Sequence, residues 1–208
     1  MKVTLKDFVP PVMLGPIRSV RRLFYGAARK KRDAIVPPGP KVKQEYVKEY
    51  GKCFGMRTFV ETGTYLGDMV NAVKKDFSTI YSIELSKELH ERALQWFSDY
   101  EHVHLIQGDS GRRIKELTEK IGEPCLFWLD AHYSGGITAQ GVVDTPIMEE
   151  LSAILARRYK DVILIDDARC FIGADQYPTV EAVQNLVMAA RPGYAVYLKD
   201  DIIFIHPR

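Results

Sequence analysis

The segment that decides the fold is Phe59-Val60-Glu61-Thr62-Gly63-Thr64-Tyr65-Leu66-Gly67-Asp68, because it reads as a strand that runs into a glycine turn and then a helix. Gly63 can adopt backbone angles that are closed to other residues, and Gly67 allows the start of a helix to pack close to a sheet. Glu61 places a carboxylate at the carboxyl end of the strand. This order of elements predicts an α/β protein with a nucleotide pocket at the turn.

A second acid supports the same prediction. Glu84 ends the next apolar run, Ile80-Tyr81-Ser82-Ile83-Glu84, and lies 23 residues after Glu61. A carboxylate that holds ribose hydroxyls is expected about 20 residues after the first strand of a βαβ unit. The alternative is that the two glycines form a tight turn that binds no ligand. The position of Glu84 argues against this alternative.

The motif differs from the dinucleotide fingerprint G-x-G-x-x-G, since two glycines four residues apart follow an acid. The form E-x-G-x-x-x-G resembles motif I of the class I S-adenosylmethionine-dependent methyltransferases. The resemblance implies that Glu61 lies near the methionine end of the cofactor and that Glu84 binds its ribose. The turn that runs beside the cofactor would comprise Thr62, Gly63, Thr64, Tyr65 and Gly67.

Asp109 and Ser110 follow the third predicted strand. In the family that the motif resembles, the acid at this place commonly meets the adenine amino group, so the resemblance implies that both residues contact adenine. The alternative is a helix N-cap, because a helical pattern begins at Ser110. For Asp109 we favour the ligand, and for Ser110 both interpretations stay open.

Acids also follow the fourth and fifth predicted strands, at Asp130 and at the pair Asp166 and Asp167. Carboxylates that converge repel one another unless a cation or hydrogen-bond donors compensate them, and Mg²⁺ prefers oxygen ligands. The arrangement is similar to metal-dependent O-methyltransferases of the catechol and macrocin types, which implies a magnesium site. One acid could instead meet the cofactor and another cap a helix, and Arg169 could steer an anionic acceptor or neutralise the acid pair.

His132 stands two residues beyond Asp130 and is our candidate general base, since a neutral imidazole can accept the proton of an acceptor hydroxyl. A surface or structural histidine is the alternative. The glycine-rich stretch 135–141 could form a lid over the acceptor. Acceptor contacts would then include Tyr133, Ser134, Thr138 and Asp144.

The composition is ordinary for one globular domain, with 208 residues of which 46% are hydrophobic and 27% charged. No apolar stretch approaches the roughly 20 residues needed to cross a bilayer, and no signal peptide is evident, so a cytoplasmic location is the default expectation. The three cysteines are far apart in apolar surroundings, which is typical of reduced structural thiols. They are Cys53, Cys125 and Cys170.

Charge is concentrated at the N-terminus. Residues 1–36 carry nine basic and two acidic side chains, or +7, so the remainder carries −5 of the total +2. Residues 17–32 predict a basic amphipathic helix that could contact a polyanion or the inner face of an anionic membrane, or could pack on the domain. No nucleic-acid motif accompanies the charge. We expect a helical extension and Pro-rich linker over 1–40 and a methyltransferase-like domain over 41–208.

Strands and helices alternate from residue 41 onward, which predicts a doubly wound, Rossmann-like sheet. The strands are expected near 57–62, 79–84, 103–107, 125–130 and 161–166, and the helices near 42–53, 67–76, 86–99, 110–121, 146–158 and 178–190. A hairpin of 194–198 and 201–205, with a turn at Lys199-Asp200, closes the sheet antiparallel. The whole resembles the seven-stranded methyltransferase architecture.

The sequence therefore predicts an S-adenosylmethionine-dependent O-methyltransferase, assisted by a metal, that acts on a hydroxyl of a glycan or glycosylated small molecule. An NAD-dependent oxidoreductase on the same fold is one alternative, weakened by the missing third glycine. A non-catalytic, membrane-peripheral binding protein that uses residues 1–36 is the other.

Overall fold

The computed structural model describes residues 36–130, 146–174 and 176–208, over which helices and strands alternate. The strands are β1 (Thr58–Thr62), β2 (Thr79–Glu84), β3 (Val103–Gln107), β4 (Cys125–Leu129), β5 (Val162–Ile165), β6 (Tyr194–Lys199) and β7 (Ile202–Pro207). The α-helices are α1 (Pro40–Cys53), α2 (Asp68–Val73), α3 (Lys87–Trp96), α4 (Ser110–Lys120), α5 (Ile147–Leu155) and α6 (Val180–Ala190), and a 3₁₀ turn covers Ala168–Cys170.

All seven strands form one sheet in the order β3-β2-β1-β4-β5-β7-β6. The first five pair in parallel, and β7 pairs antiparallel with both β5 and β6. The order reverses between β1 and β4, the point at which open α/β sheets bind ligands. The predicted doubly wound sheet with a closing antiparallel hairpin is confirmed.

Two apolar cores cover the sheet, one on each face. Alternate residues of a strand point to opposite faces, so Phe59 packs in one core and Val60 in the other. Helices α1, α2 and α3 contribute to the first core, and α4, α5 and α6 to the second. Central strands that are buried on both sides need uninterrupted apolar sequence, which is why β4 and β5 were recognisable as short apolar runs.

Helix α1 begins earlier than the sequence pattern predicts. Pro40 is its first residue and Gly39 its N-cap, whereas the predicted helix starts near residue 42 and assigns Pro40 to a linker. Proline is favourable at this position because its fixed φ suits a helix and its missing N–H has no intrahelical partner there. The last residue of the predicted linker, Pro40, is thus the first residue of the helix. The predicted helical extension in residues 1–35 lies outside the described residues.

The closing hairpin turns one residue later than predicted. Asp200 and Asp201 both have positive φ, at 46° and 61°, and form the two-residue turn between β6 and β7. Two positive φ values are the mark of a type I′ turn, whose twist suits a hairpin. In the part of the chain that the structure describes, no helix is both long and apolar enough to cross a membrane.

We expect Gly67→Ala to destabilise the protein by about 2–4 kcal/mol, because alanine is strained at positive φ and adds a methyl to a packed contact. Gly67 has φ 81°, and a Cβ there would lie 2.9 Å from Cε2 of Phe97. Urea denaturation followed by circular dichroism measures the change. Gly193→Ala is the control, since a Cβ at Gly193 meets nothing within 4 Å. Equal midpoints for the two variants would contradict the close approach of the start of α2 to the Phe97 ring.

Candidate active site

Acidic side chains stand at the carboxyl end of each of the five parallel strands. In sheet order they are Asp109 after β3, Glu84 at the end of β2, Glu61 in β1, Asp130 after β4 and Asp166 after β5. Neighbouring strands lie about 4.8 Å apart, so this row spans about 19 Å. The sequence predicted these residues to meet at one edge of the sheet, and the parallel topology places them there.

The glycine turn after β1 has the unusual backbone that its sequence predicts. Gly63 and Gly67 have φ of 85° and 81°, and the Gly63 N–H donates to the Ile83 carbonyl at 2.9 Å. Tyr65, which is not a glycine, also has positive φ at 49°. This strained conformation directs the Tyr65 N–H to the Oε2 atom of Glu84 at 2.8 Å. No feature of the sequence predicts the positive φ of Tyr65.

Glu84 joins two turns of the site. Its Oε2 accepts the Tyr65 N–H and its Oε1 accepts the Ser86 N–H, both at 2.8 Å, and the residue is 6% exposed. A carboxylate oxygen has two acceptor positions, so each oxygen can still receive a hydroxyl. The carboxylate is thus oriented in advance and can hold two neighbouring hydroxyl groups.

Glu61 is the most deeply buried acid of the row. Ser82 donates its hydroxyl to Glu61 Oε2 at 2.5 Å, and Ser82 in turn is hydrogen-bonded to Thr64 at 2.6 Å. Burial raises the pKa of Glu61 well above its ordinary 4.5, the Ser82 hydrogen bond opposes this, and the charges of Asp130 and Glu84 raise it further. A cation bound beside Glu61 would relieve both effects.

The acid after β3 has a structural role. Asp109 is the N-cap of α4, and its Oδ1 accepts the Arg112 N–H at 3.1 Å. Ser110 is the first residue of the helix, so its interpretation as the N-cap is wrong, and its contact with a ligand stays a prediction. The cap contact uses one oxygen of Asp109, so the other can still contact a ligand.

Glu150 is a buried acid that the sequence analysis missed. It lies on α5, is 1% exposed, and its Oε1 atom is buried without a hydrogen-bond partner among the described residues. Burial raises its pKa to about 7, the nearby hydroxyls of Ser110 and Thr62 oppose the rise, and the charges of Asp109 and Asp130 add to it. Its spacing from Ile147 and Ile154 puts it on the apolar face of the helix, which was the available signal.

The acid pair after β5 is compensated by two basic side chains. Lys43 Nζ of α1 lies 2.5 Å from Asp166 Oδ2 and 3.9 Å from Asp167 Oδ1, and Arg169 Nη1 donates to Asp167 Oδ1 at 2.7 Å. Burial lowers the pKa of Lys43, but Asp166 and Asp167 outweigh it and raise the pKa overall. Sequence reasoning missed Lys43, which is 123 residues from Asp166.

The three acids Asp130, Asp166 and Asp167 were predicted to hold Mg²⁺, and as they stand they do not fit a divalent ion. Asp166 Oδ2 faces an ammonium, and its Oδ1 accepts the Asp167 N–H at 2.7 Å. Over residues 36–130, 146–174 and 176–208, no group of three His, Cys, Asp or Glu side chains has the arrangement of a metal site. Of the two roles predicted for Arg169, the structure shows neutralisation of Asp167, together with a contact to Asp201.

A cavity of about 180 Å³ opens between the glycine turn, the end of β4 and the start of α1. Four carboxyl groups and one ammonium are among its lining groups, from Glu61, Asp68, Asp130, Asp166 and Lys43. Gly63, Thr64 and Trp128 also line it. The predicted base His132 and the lid and acceptor residues Tyr133, Ser134, Thr138 and Asp144 lie outside the described residues.

Solved methyltransferases share this fold. An O-methyltransferase from Bacillus cereus in complex with SAH aligns with a TM-score of 0.57 at 14% identity, over 92% of this chain and 90% of its own. The O-methyltransferase of tomaymycin synthesis from Streptomyces achromogenes, in complex with SAM, aligns with a TM-score of 0.58 at 15% identity, over 86% and 85%. An SAH-bound methyltransferase from Podospora anserina aligns with a TM-score of 0.54 at 16% identity, over all of both chains.

No protein-family model matches this chain, and no curated protein matches it. At identities this low, the likeness to solved structures concerns the fold. The chain therefore has the fold of the class I methyltransferases, as the E-x-G-x-x-x-G motif implied.

We expect Glu150→Gln to stabilise the protein increasingly as pH rises. An acid whose pKa is higher in the folded state makes folding less favourable as pH rises from its unfolded pKa to its folded one. For a pKa raised from 4.5 to about 7, the gain of the variant over wild type should grow by about 3 kcal/mol across that interval. Unfolding free energies in urea at several pH values measure it. Glu149→Gln, an exposed neighbour, is the control and should show a flat difference.

Proposed function

We propose that this protein is an S-adenosylmethionine-dependent O-methyltransferase that acts on a hydroxyl group of a small molecule, in the class of glycans and glycosylated compounds. The single observation that carries the proposal is the pre-oriented carboxylate of Glu84, fixed by the Tyr65 and Ser86 N–H groups beside the glycine turn. A charged acceptor held in this way suits the two ribose hydroxyls of an adenosyl cofactor. The shared fold and the SAH and SAM bound in two of the solved neighbours support the same choice.

Charge favours this cofactor over a nicotinamide dinucleotide. S-adenosylmethionine carries a sulfonium, an ammonium and a carboxylate and is cationic overall, whereas a dinucleotide carries an anionic pyrophosphate. The cavity beside the turn is lined by four carboxyl groups and one ammonium, and Asp68 occupies the first position of α2. A pyrophosphate placed there would be repelled by Asp68 and Glu61, while a sulfonium would be attracted.

The cofactor in our proposal follows the row of strand ends. Glu61 and the turn formed by Thr62, Gly63, Thr64, Tyr65 and Gly67 would hold its methionine end. Glu84 would hold its ribose, and Asp109 and Ser110 would contact its adenine. This direction agrees with the sheet order, in which β2 and β3 lie on one side of β1 and the acid-lined cavity on the other.

The transfer itself is an in-line displacement. The acceptor oxygen forms a bond to the methyl carbon, the carbon–sulfur bond breaks with its electron pair left on sulfur, and the hydroxyl proton passes to a base. We propose Asp130, which lines the cavity, as a residue that orients the acceptor, and His132 as the base. The reaction as we propose it uses no metal-dependent step, because two of the three predicted magnesium ligands, Asp166 and Asp167, are already paired with Lys43 and Arg169.

Other parts of the prediction stay predictions. They are the contact of residues 1–36 with a membrane or polyanion, the cytoplasmic location and the division of the chain at residue 40. None of them enters the argument for the methyl transfer.

We expect calorimetric titration with S-adenosylhomocysteine to show one site per chain and Glu84→Gln to weaken it by about 10- to 100-fold. The amide removes the charge and one acceptor oxygen from the ribose contact, and a hydrogen bond to a charged group contributes about 1.5–3 kcal/mol. Glu91→Gln, an exposed change on α3, is the control and should bind as wild type does. Melting curves check that Glu84→Gln is folded. Heat with NADH and none with S-adenosylhomocysteine would instead establish the oxidoreductase.

We expect Asp130→Asn and His132→Ala each to lower methyl transfer by about 100-fold or more while the affinity for S-adenosylhomocysteine changes little, since positioned acid–base groups contribute about 10²- to 10⁴-fold. Transfer of labelled methyl groups to components of a cell extract measures the activity. His104→Ala, at an exposed position in β3, is the matched control. Undiminished methyl transfer by the double variant would refute these roles. If wild type binds S-adenosylhomocysteine but transfers no methyl group to any acceptor, a binding protein would be favoured.

A further inference from the structure

Lys43 stands where the acid cluster meets the cavity. It projects from α1, its side chain is 18% exposed, and it lines the same cavity as Asp130 and Asp166. The hydrogen bond to Asp166 Oδ2 at 2.5 Å uses one of the three N–H donors of the ammonium. The distance of 3.9 Å to Asp167 Oδ1 is too long for a hydrogen bond, so the ammonium retains donors for a ligand in the cavity.

Three carboxylate oxygens of Asp166 and Asp167 are engaged by groups of the protein. Asp166 uses Oδ2 for Lys43 and Oδ1 for the Asp167 N–H. Asp167 uses Oδ1 for Arg169, and Asp201 shares that guanidinium. A divalent ion between Asp130 and Asp166 would have to displace or repel the Lys43 ammonium, and two cations a few ångströms apart repel each other strongly.

We propose that the Lys43 ammonium is the resident cation of this cavity and takes the position where the aspartates would otherwise hold a divalent metal ion. The ammonium compensates the buried acid pair and leaves N–H donors that can bind an oxygen atom of a ligand. The role of Lys43 in the reaction rests on the proposed methyl transfer. There Lys43 would bind the acceptor oxygen and favour loss of the hydroxyl proton. The step then needs no metal and the transfer should resist chelators.

The aspartates make the inference testable without knowledge of the acceptor. If Lys43 alone keeps a metal ion out, its removal should turn Asp130 and Asp166 into a metal site. We therefore measure Mn²⁺ binding to wild type, Lys43→Ala and Lys43→Arg. The loss of the electron paramagnetic resonance signal of the free ion reports the binding. Lys41→Ala changes an exposed lysine of the same helix and is the matched control.

We expect wild type, Lys43→Arg and Lys41→Ala to leave Mn²⁺ free, and Lys43→Ala to bind it at least about tenfold more tightly than wild type, since the substitution removes the ammonium that Asp166 Oδ2 faces. The second change in Lys43→Ala/Asp166→Asn should abolish the gained binding, which localises it to this cavity. Lys43→Met, which keeps the length of the side chain, replaces Lys43→Ala if melting curves show that the alanine variant is unfolded.

Two results would overturn the inference. Wild type could bind Mn²⁺ as tightly as Lys43→Ala, which would show that the ammonium gives way to the ion. Alternatively, no variant could bind Mn²⁺, which would show that Lys43 does not occupy a cation position. Titration of the same samples with S-adenosylhomocysteine tests the proposed function separately. If S-adenosylhomocysteine does not bind while Lys43→Ala alone gains Mn²⁺ binding, the methyltransferase is refuted and Lys43 remains the cation of the cavity.

Discussion

Repulsion among carboxylates gathered at one edge of the sheet is the constraint on which this site depends. Five parallel strands end at that edge and each delivers an acid, so the fold must compensate several charges within a short distance. It does so differently at each strand. Glu84 receives backbone N–H groups, Asp109 caps a helix, and Asp166 meets an ammonium.

These compensations are of different kinds. Asp166 and Asp167 are paired with Lys43 and Arg169, although burial and the charges of Asp130 and Asp167 still raise the pKa of Asp166 to about 7. Glu61 has hydroxyl partners and, among the residues that the structure describes, no cationic partner, and burial and neighbouring charge raise its pKa. Such an unfavourable environment is the kind that proteins retain at functional sites. A cationic cofactor in the cavity that Gly63 lines would reduce this electrostatic penalty at Glu61.

The sequence predicted the fold well because the decisive signals were local. The ranges 79–84 and 103–107 match β2 and β3 to the residue, since short apolar runs bounded by turns have few alternative structures. What it missed depends on tertiary contacts. Lys43 is one of many lysines in a helix until β5 brings Asp166 to it, and Glu150 is an ordinary helical acid until α5 packs against the sheet. The acid cluster was correctly placed at the strand ends, but its cation came from a distant helix.

The position of that cation depends on the antiparallel end of the sheet. Helix α1 packs its Tyr46 and Tyr50 rings on Phe204 of β7, with ring centroids 5.2 and 5.1 Å apart, and buries Val47 completely. Strand β7 pairs directly with β5, whose end carries Asp166. The hairpin therefore fixes α1, and with it Lys43, in register with the acid that it neutralises. A metal ion could exchange with solvent, whereas an ammonium held by a packed helix leaves the cavity only when the helix moves. The charge balance in the cavity therefore depends on the stability of the C-terminal hairpin.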